Sequence, residues 1–179
     1  LSLPAMIALL IASEEITSSL FGYGSFGELS VKNSASALFY FALGLPAFSF
    51  IKIFSTFLFA RHNTKIPFYF SVISVIINIV ISVYYFNKIG FIIIPIATTI
   101  SSWFNVILLL IYLTNKKYYY INLNFIKSLF KISFSTVITS YIFYHLIKYF
   151  SGNLSYNSEY KLLSIILLVI VTFIIYILI

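Results

Sequence analysis

The sequence predicts an all-α fold, a polytopic bundle of six transmembrane helices. Three observations support this class. Hydrophobic residues make up 61% of the 179 residues and charged residues only 8%, about a third of the charged fraction of an ordinary soluble domain. Six apolar stretches of about the length of a membrane span alternate with short polar connections. Stretches such as residues 72–81 lack the strict alternation of apolar and polar residues that is typical of a β-barrel strand.

Each stretch is interpreted as one span because about 20 helical residues cross a hydrocarbon core about 30 Å thick. A helix also satisfies its own backbone hydrogen bonds, which lipid cannot do. The predicted spans cover approximately residues 1–21, 34–60, 67–86, 91–114, 130–149 and 162–179. The connections are rich in Gly, Asn and charged residues, which favour water over lipid. They cover residues 22–32, 61–66, 87–90, 115–127 and 150–161.

Basic residues are unevenly distributed between alternate connections. Residues 61–65 and 115–131 hold six basic residues and no acid, whereas the other connections combine lysines with Glu28 and Glu159. Because loops rich in Lys and Arg remain in the cytoplasm, this predicts a multi-pass protein with a cytoplasmic C-terminus. The chain starts at Leu1 without Met or a signal peptide, so we interpret it as part of a longer polypeptide whose upstream helices are its partners.

The same features argue against several other classes. A net charge of +7 would suggest nucleic acid if the basic residues formed one stripe, but here they separate apolar runs. There is no Cys, and His62 and His145 lie in different segments without neighbouring carboxylates. No residues resemble an activated nucleophile or a phosphate-binding Gly loop. We therefore predict no catalytic residue, no resident cofactor, no nucleic-acid partner and no enzymatic activity.

Polar residues recur along one face of three predicted spans. Spacings of three and four residues keep each set on one helical stripe. Such stripes serve either close helix packing with interhelical hydrogen bonds or the lining of an ion or substrate pathway, and the pattern leaves both open. The sets are Ser71, Ser74, Asn78 and Ser82, then Thr98, Ser101, Ser102 and Asn105, then Ser133, Thr136 and Ser140.

Lys52 lies midway through the second predicted span, with Ser49 and Thr56 on the same helical face. A lysine at this depth costs about 3 kcal/mol to insert unless it has a partner or a hydrated cavity. Two hypotheses follow. Lys52 lines a polar cavity that attracts an anion, or it pairs with a carbonyl or an acid outside this chain.

Glu14 and Glu15 lie near the outer end of the first predicted span. Paired carboxylates are typical of acid/base sites, but adjacent helical residues diverge by about 100° and cannot both face one reacting group. We therefore favour an interfacial location for both.

One segment closely resembles a known family. Residues Gly44 to Phe68, GLPAFSFIKIFSTFLFARHNTKIPF, resemble the MurJ (MviN) segment that commonly reads GLPAFVLIKVLSPAFYARQDTKTPV. Three further stretches support the resemblance over the first two thirds of the chain. They are LPAMIALL at residues 3–10, LFGYGSF at 20–26, which looks like LFxRGxF, and IATTISSWFN at 96–105, which looks like LATSLAAWLN.

The resemblance implies a lipid II flippase of the multidrug, oligosaccharidyl-lipid and polysaccharide exporter superfamily. Such proteins have fourteen helices in two lobes plus a terminal pair. Residues 1–114 would then be four helices of the C-terminal lobe, and residues 115–179 a terminal pair with a groove for the lipid tail. The implied partners are membrane lipids and an undecaprenyl-linked anionic precursor in the bacterial cytoplasmic membrane. Alternatives are a polysaccharide-unit or multidrug exporter of the same fold, or a non-transporting membrane scaffold.

The predicted substrate or cavity residues are Lys52, Ser49, Thr56 and Arg61, and at Lys52 the family resemblance agrees with the argument from depth in the span. The resemblance also implies ion-site residues. Some members of the family bind sodium with an Asn, an Asp one turn later and a Thr. Asn78 and Thr98 match, but Ser82 replaces the Asp, so coupling to sodium or to the membrane potential stays open. Asn63 also replaces the Asp of the family's loop motif.

Overall fold

The computed structural model describes residues 1–118 and 123–179, so part of the predicted connection 115–127 lies outside the described residues. The described residues form helices and turns without a strand, which confirms the all-α class. The helices are α1 (Ser2–Ile11), α2 (Ser13–Phe21), α3 (Glu28–Ala42), α4 (Leu45–Ala60), α5 (Lys65–Ile89), α6 (Ile93–Asn115), α7 (Leu123–Tyr149) and α8 (Lys161–Leu178). A 3₁₀ turn, Gly90–Ile92, joins α5 to α6.

Among the described residues, two helical stretches, Lys65–Asn115 and Lys161–Leu178, are long and apolar enough to cross a membrane. The pairs α1 with α2 and α3 with α4 also qualify when each is taken as one broken span, which makes up to four. The first stretch contains both α5 and α6, of 25 and 23 residues. Each is therefore long enough for a crossing of its own. The 27-residue α7 is long enough but carries more polar side chains, so the count of six spans stays a prediction.

By its contacts the chain divides into two compact units. The first unit comprises Leu1, Leu3–Ala42 and Asn124–Ile179. Its core surrounds Ala12, which is 0% exposed and lies where α1 and α2 meet at an angle of 79°. The predicted first span is thus two helices, because Ala12 departs from helical geometry with φ −116° and ψ 27°. Side chains of α7, α8 and their connection pack here, namely Phe143, Ile147, Leu154, Ile165 and Leu168.

The second unit comprises Ser2 and Leu43–Leu123, with a core of Leu58, Leu109 and Leu113. Gly90 reverses the chain between α5 and α6 at a φ of +74°, a conformation that favours glycine. The predicted second span is also two helices, because α4 starts afresh with Pro46 in its first turn. The predicted division at residue 114 follows the family resemblance and stays a prediction.

Candidate functional site

The face of α4 that carries Lys52 is the first candidate site. Lys52 and Thr56 are exposed, whereas Ser49 is half-buried and its hydroxyl donates to the Leu45 carbonyl oxygen at 3.1 Å. Among the described residues, the Lys52 ammonium has no hydrogen-bond or ion-pair partner. The spacing of three and four residues places the three side chains in one row. This row can therefore offer a free ammonium and a hydroxyl to a polar group outside the unit.

Arg61 lies at the C-terminal end of α4 and is not on this row. Its guanidinium carbon is 4.1 Å from the centre of the Tyr118 ring and 4.8 Å from that of Phe57. Nine residues separate it from Lys52, about half a rotation at 3.6 residues per turn. The structure therefore does not bring these two predicted substrate residues to one face. Arg61 contributes cation–π contacts and a favourable charge at a helix C-terminus.

The candidate ion site lies between α5 and α6. The Asn78 amide nitrogen donates to the Thr98 hydroxyl at 3.0 Å and reaches the Ser101 hydroxyl at 3.5 Å. Thr98 in turn donates to the Ile94 carbonyl oxygen at 2.8 Å. Two of the three predicted ion-site residues are thus in direct contact. These bonds fit both interpretations of the polar stripes, helix packing and an ion pathway, because the bonds that could serve an ion also join α5 to α6.

Ser82, the third predicted ion-site residue, lies one helical turn after Asn78. Its hydroxyl oxygen is buried without a hydrogen-bond partner in the part of the chain that the structure describes. The set therefore offers neutral oxygens from Asn78, Thr98 and Ser82 and no carboxylate. Hard cations prefer carboxylate ligands, so these residues alone would hold a sodium ion only weakly.

A largely apolar cavity of about 230 Å³ lies within the first unit. It is lined by α1, α7 and α8, with contributions that include Pro4, Ala8, Thr139, Phe143, Val169 and Phe173. A cavity with such walls suits an apolar ligand such as a hydrocarbon chain. The cavity borders α7 and α8, the terminal pair to which the sequence analysis assigned a lipid-tail groove, and that assignment stays a prediction.

Comparison with known protein families matches residues 1–174 to the family described as Lipid II flippase MurJ. The chain belongs to this family. Sequences named "Probable lipid II flippase MurJ" include one from Rickettsia prowazekii, 36% identical over 59% of this chain and 21% of its own length. One from Thermotoga maritima is 32% identical over 86% of this chain and 31% of its own length. The chain thus spans about a fifth to a third of these relatives.

A solved structure supports the same assignment. It is titled "Lipid II flippase MurJ, inward closed conformation" and has a TM-score of 0.76 to this chain at 25% identity. The match covers 97% of this chain and 35% of the solved one. The chain therefore has the fold of about a third of a MurJ-family protein.

Asn63, where the MurJ loop motif has Asp, makes two side-chain hydrogen bonds. The Asn63 amide nitrogen donates to the Tyr112 hydroxyl at 3.0 Å, and its oxygen accepts from the backbone N–H of Ile66 at 3.4 Å. An ionised Asp could accept from both the Tyr112 O–H and the Ile66 N–H, but it would bring a negative charge to this contact. Asn63 therefore ties the start of α5 to α6 through a neutral contact.

Sequence reasoning missed Lys161, which it assigned to a solvated connection. In this MurJ-family chain Lys161 is the first residue of α8 and is only 1% exposed. Its ammonium donates to the carbonyl oxygens of Gly22 and Tyr156, each at 2.7 Å. It also lies 4.2 Å from the centre of the Tyr23 ring. The available signal was weak: Tyr23 and Tyr156 lie in the two connections that the topology places on one side of the membrane.

Proposed function

We propose that this chain is part of a flippase that moves lipid II, a lipid-linked anionic peptidoglycan precursor, across the bacterial cytoplasmic membrane. The observation that carries the proposal is the family match over residues 1–174. The structural match to a MurJ in an inward closed conformation supports it. The activity is transport and not catalysis, and it belongs to the longer polypeptide of which this chain resembles a part.

The role proposed for Lys52 is to attract the anionic head of the precursor. Its ammonium is exposed and lacks a partner among the described residues. At the middle of a span such a charge is tolerable in a hydrated cavity, and its field there is less screened than in bulk water. Thr56 and Ser49 add polar groups along the same row. Phosphate oxygens accept hydrogen bonds from ammonium and hydroxyl groups such as these.

The cavity between α1, α7 and α8 is proposed to hold part of the lipid tail. Its lining is largely apolar, and the hydroxyl-bearing residues in it are Thr139, Ser140, Thr172 and Tyr176. Thr139 and Thr172 donate internally to the carbonyls of Ser135 and Leu168, at 2.8 Å each. The walls therefore present few unsatisfied polar groups to a hydrocarbon chain.

The test is complementation by the full-length protein in cells depleted of their own flippase, combined with a direct assay of lipid II translocation. Wild type should restore growth and translocation. Lys52→Met should reduce both growth and translocation. Lys52→Arg should retain part of both, because the charge is kept while the geometry of the side chain changes. The matched control is Lys148→Met, because Lys148 is an exposed lysine at the end of α7. Restored growth without lipid II translocation would support another exporter or a scaffold.

We propose that coupling uses sodium or the membrane potential, with Asn78, Thr98 and Ser82 as the candidate ion ligands. Without a carboxylate, sodium dependence of translocation should be weak in the wild type. Ser82→Asp should strengthen it, because it supplies the anionic oxygen that hard cations favour. Unchanged sodium dependence in Ser82→Asp and in Asn78→Ala would remove the ion site and leave the membrane potential.

The proposed topology has a cytoplasmic C-terminus and rests on the charge asymmetry of the connections. A tag inserted at Asn63 should be accessible from the cytoplasm, and one at Asn153 from outside. The reverse labelling would invert the orientation without affecting the family assignment.

A further inference from the structure

An open cavity lies within the second unit, between α4 and the start of α5. It has a volume of about 550 Å³, within the range of about 300–1,000 Å³ that is typical of ligand sites. Ser55 and Phe59 of α4 line one side. The other side is lined by Thr64, which precedes α5, and by residues of its first two turns, namely Lys65, Pro67, Phe68, Tyr69 and Ser71. The cavity therefore combines a lysine and hydroxyl groups with aromatic rings.

Lys65 carries a charge that no acidic residue of its unit balances. All acidic residues of the chain lie outside residues 43–123. Lys65 is exposed, and its ammonium has no hydrogen-bond, ion-pair or aromatic partner among the described residues. Arg61, four residues earlier, differs because its guanidinium carbon lies 4.1 Å from the centre of the Tyr118 ring and 4.8 Å from that of Phe57. The Lys65 ammonium is thus available to an anion.

The Ser and Thr hydroxyl groups of the cavity are also available. A helical serine often donates to the carbonyl oxygen one turn earlier, as Ser74 of α5 does to Phe70 at 2.9 Å. Ser55 and Ser71 make no such bond in the part of the chain that the structure describes, and Thr64 precedes α5 without a side-chain capping bond. Thr64 is exposed and the two serines are half-buried, so a ligand in the cavity can reach them. Each hydroxyl can therefore donate to that ligand.

The lining of the cavity indicates the class of ligand. An ammonium beside hydroxyl groups suits a phosphate, because the anionic oxygens of phosphate accept hydrogen bonds from both kinds of donor. Phe59, Phe68 and Tyr69 are exposed around the same space. Aromatic side chains of this kind suit the membrane interface, where hydrocarbon meets polar headgroups. A phosphate joined to hydrocarbon chains matches both features, whereas free phosphate would use only the donors.

The position of the cavity in the chain agrees with this ligand. Thr64 and Lys65 belong to the connection 61–66, whose basic residues predict the cytoplasmic side of the membrane. Anionic lipids give the cytoplasmic leaflet a negative surface potential, and basic pockets between membrane helices on that side bind their headgroups. An anionic lipid of this leaflet would therefore meet the cavity at the level of its phosphate.

We propose that the cavity between α4 and α5 binds the phosphate group of a lipid at the cytoplasmic surface. The Lys65 ammonium and the neighbouring Thr64 hydroxyl donate to the phosphate oxygens. Ser55 and Ser71 lie further along the cavity and donate to the remaining oxygens of the headgroup. Two lipids have this chemistry, an anionic phospholipid and the lipid-linked precursor of the proposed function. The site requires only a lipid phosphate, so it does not depend on the flippase proposal.

The test titrates the full-length protein, in a nonionic detergent, with a short-chain fluorescent phosphatidylglycerol, which is anionic. Wild type should bind it saturably. Lys65→Met should weaken binding about tenfold, because a charge-assisted hydrogen bond to phosphate is lost. Lys65→Arg should retain most of the affinity, since it keeps the charge and also fits phosphate. Lys116→Met is the matched control and should bind as wild type does, because Lys116 is exposed in the same unit but does not line the cavity.

The same titration with lipid II as the added lipid distinguishes the two sources of the phosphate. A loss of affinity in Lys65→Met for phosphatidylglycerol, for lipid II or for both supports the site and identifies its occupant. No loss for either lipid, or an equal loss in Lys116→Met, would overturn the proposal. Failure of the wild type to translocate lipid II would contradict the proposed function and would leave the result with phosphatidylglycerol unaffected.

Discussion

Lys161 in the first unit and Lys52 in the second are opposite cases of a lysine in an apolar helix. Lys161 is 1% exposed, with carbonyl oxygens of Gly22 and Tyr156 2.7 Å from its ammonium and the Tyr23 ring beside it. Lys52 is exposed and makes no such contact among the described residues. The first lysine therefore joins α8 to the end of α2, and the second is available to a ligand.

The role of a charge in an apolar segment therefore depends on the partners of that charge and not on its depth in the segment. Burying an ammonium is costly, but hydrogen bonds to carbonyls and aromatic faces offset that cost locally. Lys161 has both, so its charge is already used by the fold. Lys52 has neither within the described chain, which is the property a substrate-binding cation needs.

The largest effect on stability should come from Lys161→Met. The change keeps the length of the side chain but leaves the carbonyls of Gly22 and Tyr156 buried without their donor, at a cost of about 3 kcal/mol. The apparent melting temperature of the full-length protein in detergent should fall clearly, while Lys148→Met should leave it unchanged. An unchanged melting temperature for Lys161→Met would mean that these bonds contribute little.

Gly22→Ala changes the residue whose carbonyl oxygen accepts from Lys161, and it should have the next largest effect on stability. A Cβ at Gly22 would lie 2.6 Å from the Ser18 carbonyl oxygen and 3.1 Å from the Tyr156 ring. Relief requires the backbone at Gly22 to shift, which disturbs the bond from Lys161 to the Gly22 carbonyl oxygen and should cost about 2 kcal/mol. Gly24→Ala is a poor control because its φ is +57°, whereas Gly152→Ala has open space around the Cβ and should be neutral by the same melting assay.

Tyr23→Leu should cost less, about 1 kcal/mol, because it removes the aromatic face and keeps the two carbonyl bonds of Lys161. Tyr23→Phe separates this contribution from that of the Tyr23 hydroxyl, which donates to the Ser19 carbonyl at 2.8 Å. The Phe variant should therefore be the more stable of the two. Equal melting temperatures would assign the whole effect to the hydroxyl.

Lys52→Met should have the smallest effect on stability, within about 0.5 kcal/mol, since no described contact is lost. Its effect should appear in lipid II translocation, which we expect to fall about tenfold. Melting temperature and translocation measured on the same preparation test both halves of this expectation. A drop in stability like that of Lys161→Met would show that Lys52 is also a structural lysine, paired with residues outside this chain.

The helical character of the chain and the polar stripes were predictable because they depend on local hydropathy and periodicity. Ser101, Ser102 and Asn105 recur at helical spacing on α6, and all three are buried. Helical periodicity also placed Asn78 and Thr98 on the polar stripes of α5 and α6, and the structure joins these two residues by a hydrogen bond of 3.0 Å. The break at Ala12 was not predictable, because alanine is the best helix former and no proline or glycine marks that position.

Hydropathy and residue spacing are sufficient to show that this chain is helical and apolar enough for a membrane, and its motifs indicate the family. These properties depend on residues within a few helical turns of one another. The burial of Lys161 depends instead on the packing of distant helices. Lys161 and its acceptor Gly22 are 139 residues apart, and a contact over that distance exists only once α2 and α8 are packed together. Burial of a charge depends on such packing, so local sequence could not foresee it.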